Sequence, residues 1–349
     1  MSELVPAPYD FLASSPGPLL PWRRLRFPVA WDAQFPVSGP LHLEIGFGDG
    51  RYTVRRASDA PSERFVGLEI SSASLLRGLD KVRKKNLQNV KLLKVGAGFA
   101  VRHLFAPHTL ASVTVNFPDP WPKERHEKNR LLQDAFFKLA ASRLVTGGAV
   151  LLATDHPDYL AFARAESQTS GLFVLEDAEP PAAVFETKYA LKWKTLGKPL
   201  YYQVFRYGGA PTPEYPGLER DETMPHALLS GRLPPHVRFS KQVTPYADGH
   251  VILHEVTQRL GAGGGSADDG DGDGVGGGGE KWLVRATVEE PELRQQVLLS
   301  VRVRGEGGLI VGLEPFGDPV VTPTTRGAVH AVTEWLLTLP GITAQTRSY

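Results

Sequence analysis

The sequence predicts an α/β fold: a Rossmann-like, mostly parallel sheet of seven strands covered by helices, followed along the chain by a smaller α+β domain. Three observations predict it. Short apolar runs alternate with helical stretches across residues 41–206, and strands alternating with helices build a parallel sheet covered on both faces. A glycine turn, Gly46-Phe47-Gly48-Asp49-Gly50, follows the first apolar run directly. After Gly208-Gly209 the helical stretches give way to consecutive strand-like runs and one terminal helix.

The elements follow in order. Residues 1–38 are rich in proline and carry Arg23, Arg24 and Arg26, and read as a loosely structured N-terminal arm. Strands are expected at 41–45, 65–70, 90–95, 111–117 and 149–155, and two later ones near 172–177 and 200–206 complete seven. Helices are expected at 51–57, 74–85 and 130–144, the last stopped by Gly147-Gly148. Together these form a domain over 39–209. The accessory α+β domain, 210–349, has strand-like runs at 250–258, 281–288, 296–304 and 308–314 and an amphipathic helix over 326–337. Residues 261–279 contain 11 glycines and four aspartates. They lack the liganding Glu of a calcium loop and read as a flexible insertion between two strands.

Composition bounds the function. A chain of 349 residues exceeds what one core usually spans. Its 42% hydrophobic and 22% charged content is that of a globular protein. No apolar run approaches the roughly 18 residues of a membrane span, and the segment MSELVPAPYD has an acid where a secretory signal has base. A cytoplasmic protein with no membrane partner is the default expectation. With no cysteine, disulfides, zinc–thiolate sites and cysteine nucleophiles are excluded. The ten histidines fall in no H-x-x-H or H-E-x-x-H spacing, so no metal is expected. Charge is uneven: residues 1–210 hold 27 Lys+Arg against 20 Asp+Glu, and residues 211–349 hold 12 against 18. A basic half beside an acidic half points to a polyanion at the first half; uneven loop composition is the plain alternative.

Two segments carry chemistry. In the first, the strand Leu41-His42-Leu43-Glu44-Ile45 enters the glycine turn, and Gly46, Gly48 and Gly50 let a ligand approach the backbone. Glu69, ending the second strand 19 residues beyond Gly50, stands where such folds hold ribose hydroxyls. A nicotinamide dinucleotide site would look similar. The G-x-G-x-G spacing and Glu44, two residues before the first glycine, favour S-adenosyl-L-methionine. The second segment is Asn116-Phe117-Pro118-Asp119-Pro120-Trp121-Pro122-Lys123. Its three prolines stiffen the backbone and remove N–H donors, which suits a loop holding a planar base against a cofactor. Trp121 is placed to stack on a base or to be buried. Basic clusters follow: Lys123, Arg125, His126, Lys128 and Arg130; Lys188, Lys192, Lys194 and Lys198 around Tyr189; and Lys81, Arg83, Lys84 and Lys85. They read as phosphate contacts or as solvated helix faces.

With both segments in place, residues 41–206 resemble the tRNA (guanine-N7-)-methyltransferase family. The carriers are LEIGFGDG (43–50), FVGLEIS (65–71), NFPDPWPKERHEKNRL (116–131), LLATDHPDY (151–159) and ETKYALKWKTLGKPLYYQVF (186–205). The resemblance implies a class I methyltransferase fold, S-adenosyl-L-methionine as cofactor, and tRNA as partner, methylated at guanine 46 of the variable loop. It implies that Glu44, Gly46, Gly48, Gly50 and Glu69 bind the cofactor. Asp119 matches the residue assigned to catalysis and cofactor contact. Lys123, Asp155, Thr187, Lys188 and Tyr189 match substrate-binding positions. Three positions depart from the family pattern. Gly96 stands where an acid usually holds the adenine amino group, which implies weaker adenine recognition or a backbone contact by Gly96. Ala190 replaces the final acid of the T-K-x-E motif, and Asn129 stands where a base is common. Rival readings are a methyltransferase for small molecules or proteins, which leaves the basic clusters idle, and a tRNA-binding protein with a decayed cofactor site. A dinucleotide oxidoreductase gives the PDPW block no role. Monomer and homodimer are both open on sequence.

Chemically, guanine N7 bears a lone pair and no proton, so methylation there requires alignment and charge management rather than a base. A carboxylate beside the ring is favoured more as positive charge develops on it. Asp119 and Asp155, each just past a strand end, are the candidates.

Overall fold

The computed structural model describes residues 14–218, 224–235, 237–259, 281–304 and 307–349, which divide between Leu218 and Glu219 into two compact units. The first is built on β1 (Leu41–Ile45), β2 (Arg64–Glu69), β3 (Val90–Lys94), β4 (Leu110–Asn116), β5 (Leu144–Thr154), β6 (Phe173–Glu176) and β7 (Tyr201–Tyr207), in the order β3-β2-β1-β4-β5-β7-β6. β1 to β5 are parallel, and β7 runs antiparallel to both β5 and β6. The helices are α1 (Arg51–Asp59), α2 (Ser72–Lys84), α3 (Ala97–His103), α4 (Asp134–Arg143), α5 (Pro157–Ser170), α6 (Ala182–Phe185) and α7 (Lys188–Thr195). This is the expected class I methyltransferase architecture.

The strands form where β-branched and leucine side chains run without a break. Val90, Leu92, Leu93, Val113, Val115, Val150 and Leu152 are all buried, as a sheet covered on both faces requires. The chain steps outward from β1 to β3, then returns to pair β4 with the free edge of β1. That reversal puts a crevice beyond the carboxyl ends of β1 and β4, where open α/β sheets bind ligands.

Two expectations need correction. Residues 14–38 are not a loose arm. Leu20, Trp22, Leu25, Val29, Trp31 and Phe35 are buried. The Trp22 and Trp31 indoles donate to the carbonyls of Lys94 (2.9 Å) and Leu104 (3.0 Å). Trp31 stacks on Phe105 with ring centroids 4.9 Å apart. Proline content masked an aromatic segment with enough apolar area to hold a fixed path over β3 and α3. Nor does Gly147-Gly148 stop a helix. α4 ends at Arg143 and Leu144 opens β5 at once. The β4–β5 register jumps from Leu110↔Leu144 to Ser112↔Ala149, so the glycines occupy a bulge inside the strand. α4 also starts later than expected, at Asp134, because residues 124–129 form a separate 3₁₀ turn.

The second unit is one antiparallel sheet: β8 (His226–Ser230), β9 (Gln242–Tyr246), β10 (Gly249–Arg259), β11 (Lys281–Glu289), β12 (Arg294–Arg304), β13 (Gly308–Leu313) and β14 (Thr343–Ser348), in the order β14-β8-β13-β12-β11-β10-β9. One helix, α8 (Pro323–Leu337), packs on it. Thr322 caps α8, its hydroxyl accepting from Thr325 N–H at 3.0 Å, with Pro323 in the first turn. The unit is α+β, as expected. Residues 261–279 lie outside the described residues.

Candidate active site

Five successive parallel strands deliver the expected residues to one edge of the first unit's sheet. Glu44 and the glycine turn come from β1, Glu69 from β2, Gly96 from just beyond β3, Asp119 from beyond β4 and Asp155 from beyond β5.

The glycine turn is fixed from below and open above. Gly46 and Gly48 adopt φ of +70° and +59°, values that L side chains rarely take. A Cβ added at Gly46 would meet nothing within 4 Å, so the backbone face is left free for a ligand. Beneath, the buried Phe47 ring fills the space that side chains at Gly67 and Gly78 would need, at 2.7 and 2.6 Å from their added Cβ positions. Glu69 closes the turn: its carboxylate accepts from the N–H groups of Gly48 (3.0 Å), Ile70 (2.9 Å) and Ser71 (2.9 Å).

Glu44 is 5% exposed. Its carboxylate accepts from the Thr53 hydroxyl on α1 and, at 3.0 Å, from the Asn116 amide ending β4. Burial pushes its pKa up to about 7, against the hydrogen bonds from Thr53 and Asn116 that favour the charged form. The Asn116 Oδ1 on the same amide is buried and has no hydrogen-bond partner among the described residues, which leaves an acceptor available to a donor arriving at the site. The open glycine face, the buried carboxylate and this orphan acceptor fit a cofactor with an adenosyl and an amino-acid end.

The proline segment leaves β4 through two residues in the left-handed region, Phe117 (φ +51°) and Trp121 (φ +42°). Such conformations cost about 1–3 kcal/mol and persist only where the surroundings impose them. Phe117 N–H is anchored on Ala153 O at 2.7 Å. Asp119 is exposed between the two strained residues. The Trp121 indole is partly exposed and meets the His126 ring edge-on at 5.7 Å. Asp155 lies 3.9 Å from the Lys198 ammonium.

α6 and α7 bring the T-K segment to the same edge. Val184 and Ala183 pack with Tyr52, Ala153 and Phe117, and the Tyr189 ring lies 6.1 Å from that of Phe117. Lys188 and Tyr189 are exposed. Thr187 is buried; its hydroxyl donates to Val184 O (2.8 Å) and accepts from Ala190 N–H (3.1 Å), so it caps α7. Gly96 is extended, starting α3.

The basic clusters separate into different roles. Lys123, Arg125 and Lys128 are exposed. Arg130, read from sequence with them, is 5% exposed and faces inward. On α2, Lys81 pairs with Asp49 and Lys84 with Asp80. Sequence reasoning missed Asn116 and Thr53 as partners of Glu44. A polar residue ending the apolar run Ala111-Ser112-Val113-Thr114-Val115 was the signal for Asn116. Among the described residues no cluster of His, Asp or Glu is arranged to hold a metal, and no helix is long and apolar enough to cross a membrane.

Residues 38–203 match the family model described as a putative methyltransferase. The tRNA (guanine-N(7)-)-methyltransferase of Thermus thermophilus is 40% identical over 91% of this chain and 96% of its own. That of Deinococcus radiodurans is 39% identical over 85% and 89%, and that of Thermotoga maritima 34% over 89% and 94%. Since these alignments continue well past the first unit at such identity, the chain belongs to the tRNA (guanine-N7-)-methyltransferase family.

Proposed function

We propose that this family member transfers the methyl group of S-adenosyl-L-methionine to N7 of guanine 46 in the tRNA variable loop. One observation supports the reading most: the Asn116 amide, three residues before Asp119, donates to Glu44 on the strand that enters the glycine turn, 3.0 Å away. When bound, the cofactor supplies an electrophilic sulfonium methyl.

Glu44 faces the cofactor's amino-acid end, the Gly46–Gly50 backbone its middle, Glu69 the ribose and Gly96 the adenine. Asp119 lies between cofactor and base. Its carboxylate accepts from the guanine N1–H and amino edge and gains attraction as positive charge develops on the ring. Asp155, held beside Lys198, supports the same edge. Lys123, Lys188 and Tyr189, all exposed, meet the RNA; Thr187 contributes by shaping the start of α7. The residues given roles here all lie in the first unit, and an accessory role is left to the second. No proton has to leave N7, so no general base is required.

The test is single-turnover methylation by Asp119→Asn and Asp155→Asn. The reading expects the chemical rate of Asp119→Asn to fall roughly 10²–10³-fold, the usual effect of removing one electrostatic partner of a transition state. Unchanged rates in both variants would sink it.

A further inference from the structure

Arg130 is the residue whose structural role departs furthest from its sequence context. It sits in a run of exposed bases, yet its side chain is 4% exposed and its guanidinium turns inward. Nε–H donates to the carbonyl of Pro120 at 2.9 Å and Nη2–H to that of Trp121 at 3.3 Å. Nη1–H donates to Glu127 Oε1 at 2.8 Å. The guanidinium carbon lies 4.7 Å from the Phe162 ring centre and 6.0 Å from that of Tyr159, both on α5. The Arg130 carbonyl in turn accepts from the Gln133 side chain at 2.6 Å.

We infer that Arg130 is a positioning residue for the Asp119 loop. The loop leaves β4 and comes back strained at both ends, at Phe117 and Trp121. The first end is tied to β5 through Phe117 N–H. The other has two carbonyls in succession facing one rigid fork. Prolines at 118, 120 and 122 leave that stretch few N–H groups with which to anchor itself, so its outer end is held through its carbonyls. Arg130 supplies both donors, and α5 fixes the plane of the guanidinium. Lysine offers a single point of attachment and does not reproduce the fork. This inference rests on the assignment of Asp119 to the reaction.

The experiment compares Arg130→Lys, Arg130→Gln and Asp119→Asn for kcat, KM for tRNA, cofactor Kd by calorimetry and melting temperature. A displacement of about 1 Å at a reacting group costs up to roughly 10²-fold in rate. Arg130→Gln is therefore expected to lose kcat on that scale, and Arg130→Lys about tenfold, with cofactor Kd unchanged because the glycine turn is untouched. If Asp119→Asn is inactive while Arg130→Lys keeps wild-type kcat, the positioning role is overturned and the Asp119 assignment stands. Lowered melting temperature with intact kcat likewise overturns it, since that is a merely structural residue. If neither Arg130 variant folds, Glu127→Gln decides. Glu127 is 44% exposed and is the carboxylate that orients the guanidinium. A several-fold loss of kcat at wild-type melting temperature supports the inference, and no change overturns it.

Discussion

Asn116 donates its amide to Glu44 across adjacent parallel strands, Nδ2 to Oε1 at 3.0 Å, while its own Oδ1 stays buried without a partner among the described residues. One side chain thereby connects the glycine turn after β1 with the proline loop after β4. Asn116→Ala removes the donor and leaves a buried carboxylate short of one bond, a loss of about 1–3 kcal/mol. Cofactor Kd measured by calorimetry is expected to weaken about tenfold or more. Unchanged cofactor affinity would remove Asn116 from the site.

Glu44 makes the stability of the folded protein sensitive to pH, and the sign follows from burial. Its pKa rises from 4.5 in the unfolded chain to about 7 in the folded one. The folded state thus binds more protons between these values, and stability falls as pH rises through that window. Below about 4.5 the penalty is absent, and above about 7 it is complete. It amounts to something on the order of 3 kcal/mol. Urea unfolding at pH 5 and pH 7.5 is expected to show a larger drop in wild type than in Glu44→Gln. In the proposed role an ionised Glu44 attracts the amino group of the cofactor, so wild-type affinity for it is expected to tighten as pH rises through 7. Parallel stability profiles for the two proteins would contradict the assignment.

Trp31 anchors residues 14–38 through its indole bond to Leu104 O and its stack on Phe105. Trp31→Ala is expected to destabilise the first unit by about 3–5 kcal/mol, the cost of emptying a buried aromatic site. Denaturant unfolding followed by far-UV circular dichroism measures it. A change under 1 kcal/mol would return this segment to the status of a loose arm.

Lys123, in the proline loop, and Lys188, at the start of α7, are both exposed. Replacing both with Gln is expected to raise KM for tRNA several-fold at low salt, leave kcat nearly unchanged, and flatten the salt dependence by roughly one unit per lost phosphate contact. Equal salt slopes in variant and wild type would show that neither lysine meets phosphate.

The parallel sheet was legible because its strands are buried on both faces and read as plain apolar runs. β1 is found over the very residues expected, Leu41–Ile45. The losses have specific causes. β14, Thr343–Ser348, is exposed along its whole length and carries no alternation to detect. β8 has only five residues, and β9 contains Pro245, which argues against a strand unless the strand lies at an edge, where β9 is found. α5 opens with Pro157 in its first turn, a residue that reads as a break as readily as a start. The placing of Glu44, the glycines, Glu69, Asp119 and Asp155 at strand ends was legible because each lies at or just past the end of an apolar run, and the structure has them at one edge of the sheet. Arg130 was not. Its charge matched the exposed lysines around it, and only the fold turns it toward Pro120 and Trp121. Thr187 differed for a similar reason, since its hydroxyl is committed to the backbone of α7.

The most direct measurement incubates the purified protein with methyl-labelled S-adenosyl-L-methionine and unmodified bulk tRNA, then digests the RNA and maps the labelled nucleoside. The account predicts label in 7-methylguanosine at position 46 of the variable loop and nowhere else. Label in another nucleoside or position, or no label from folded protein that binds the cofactor, would contradict it.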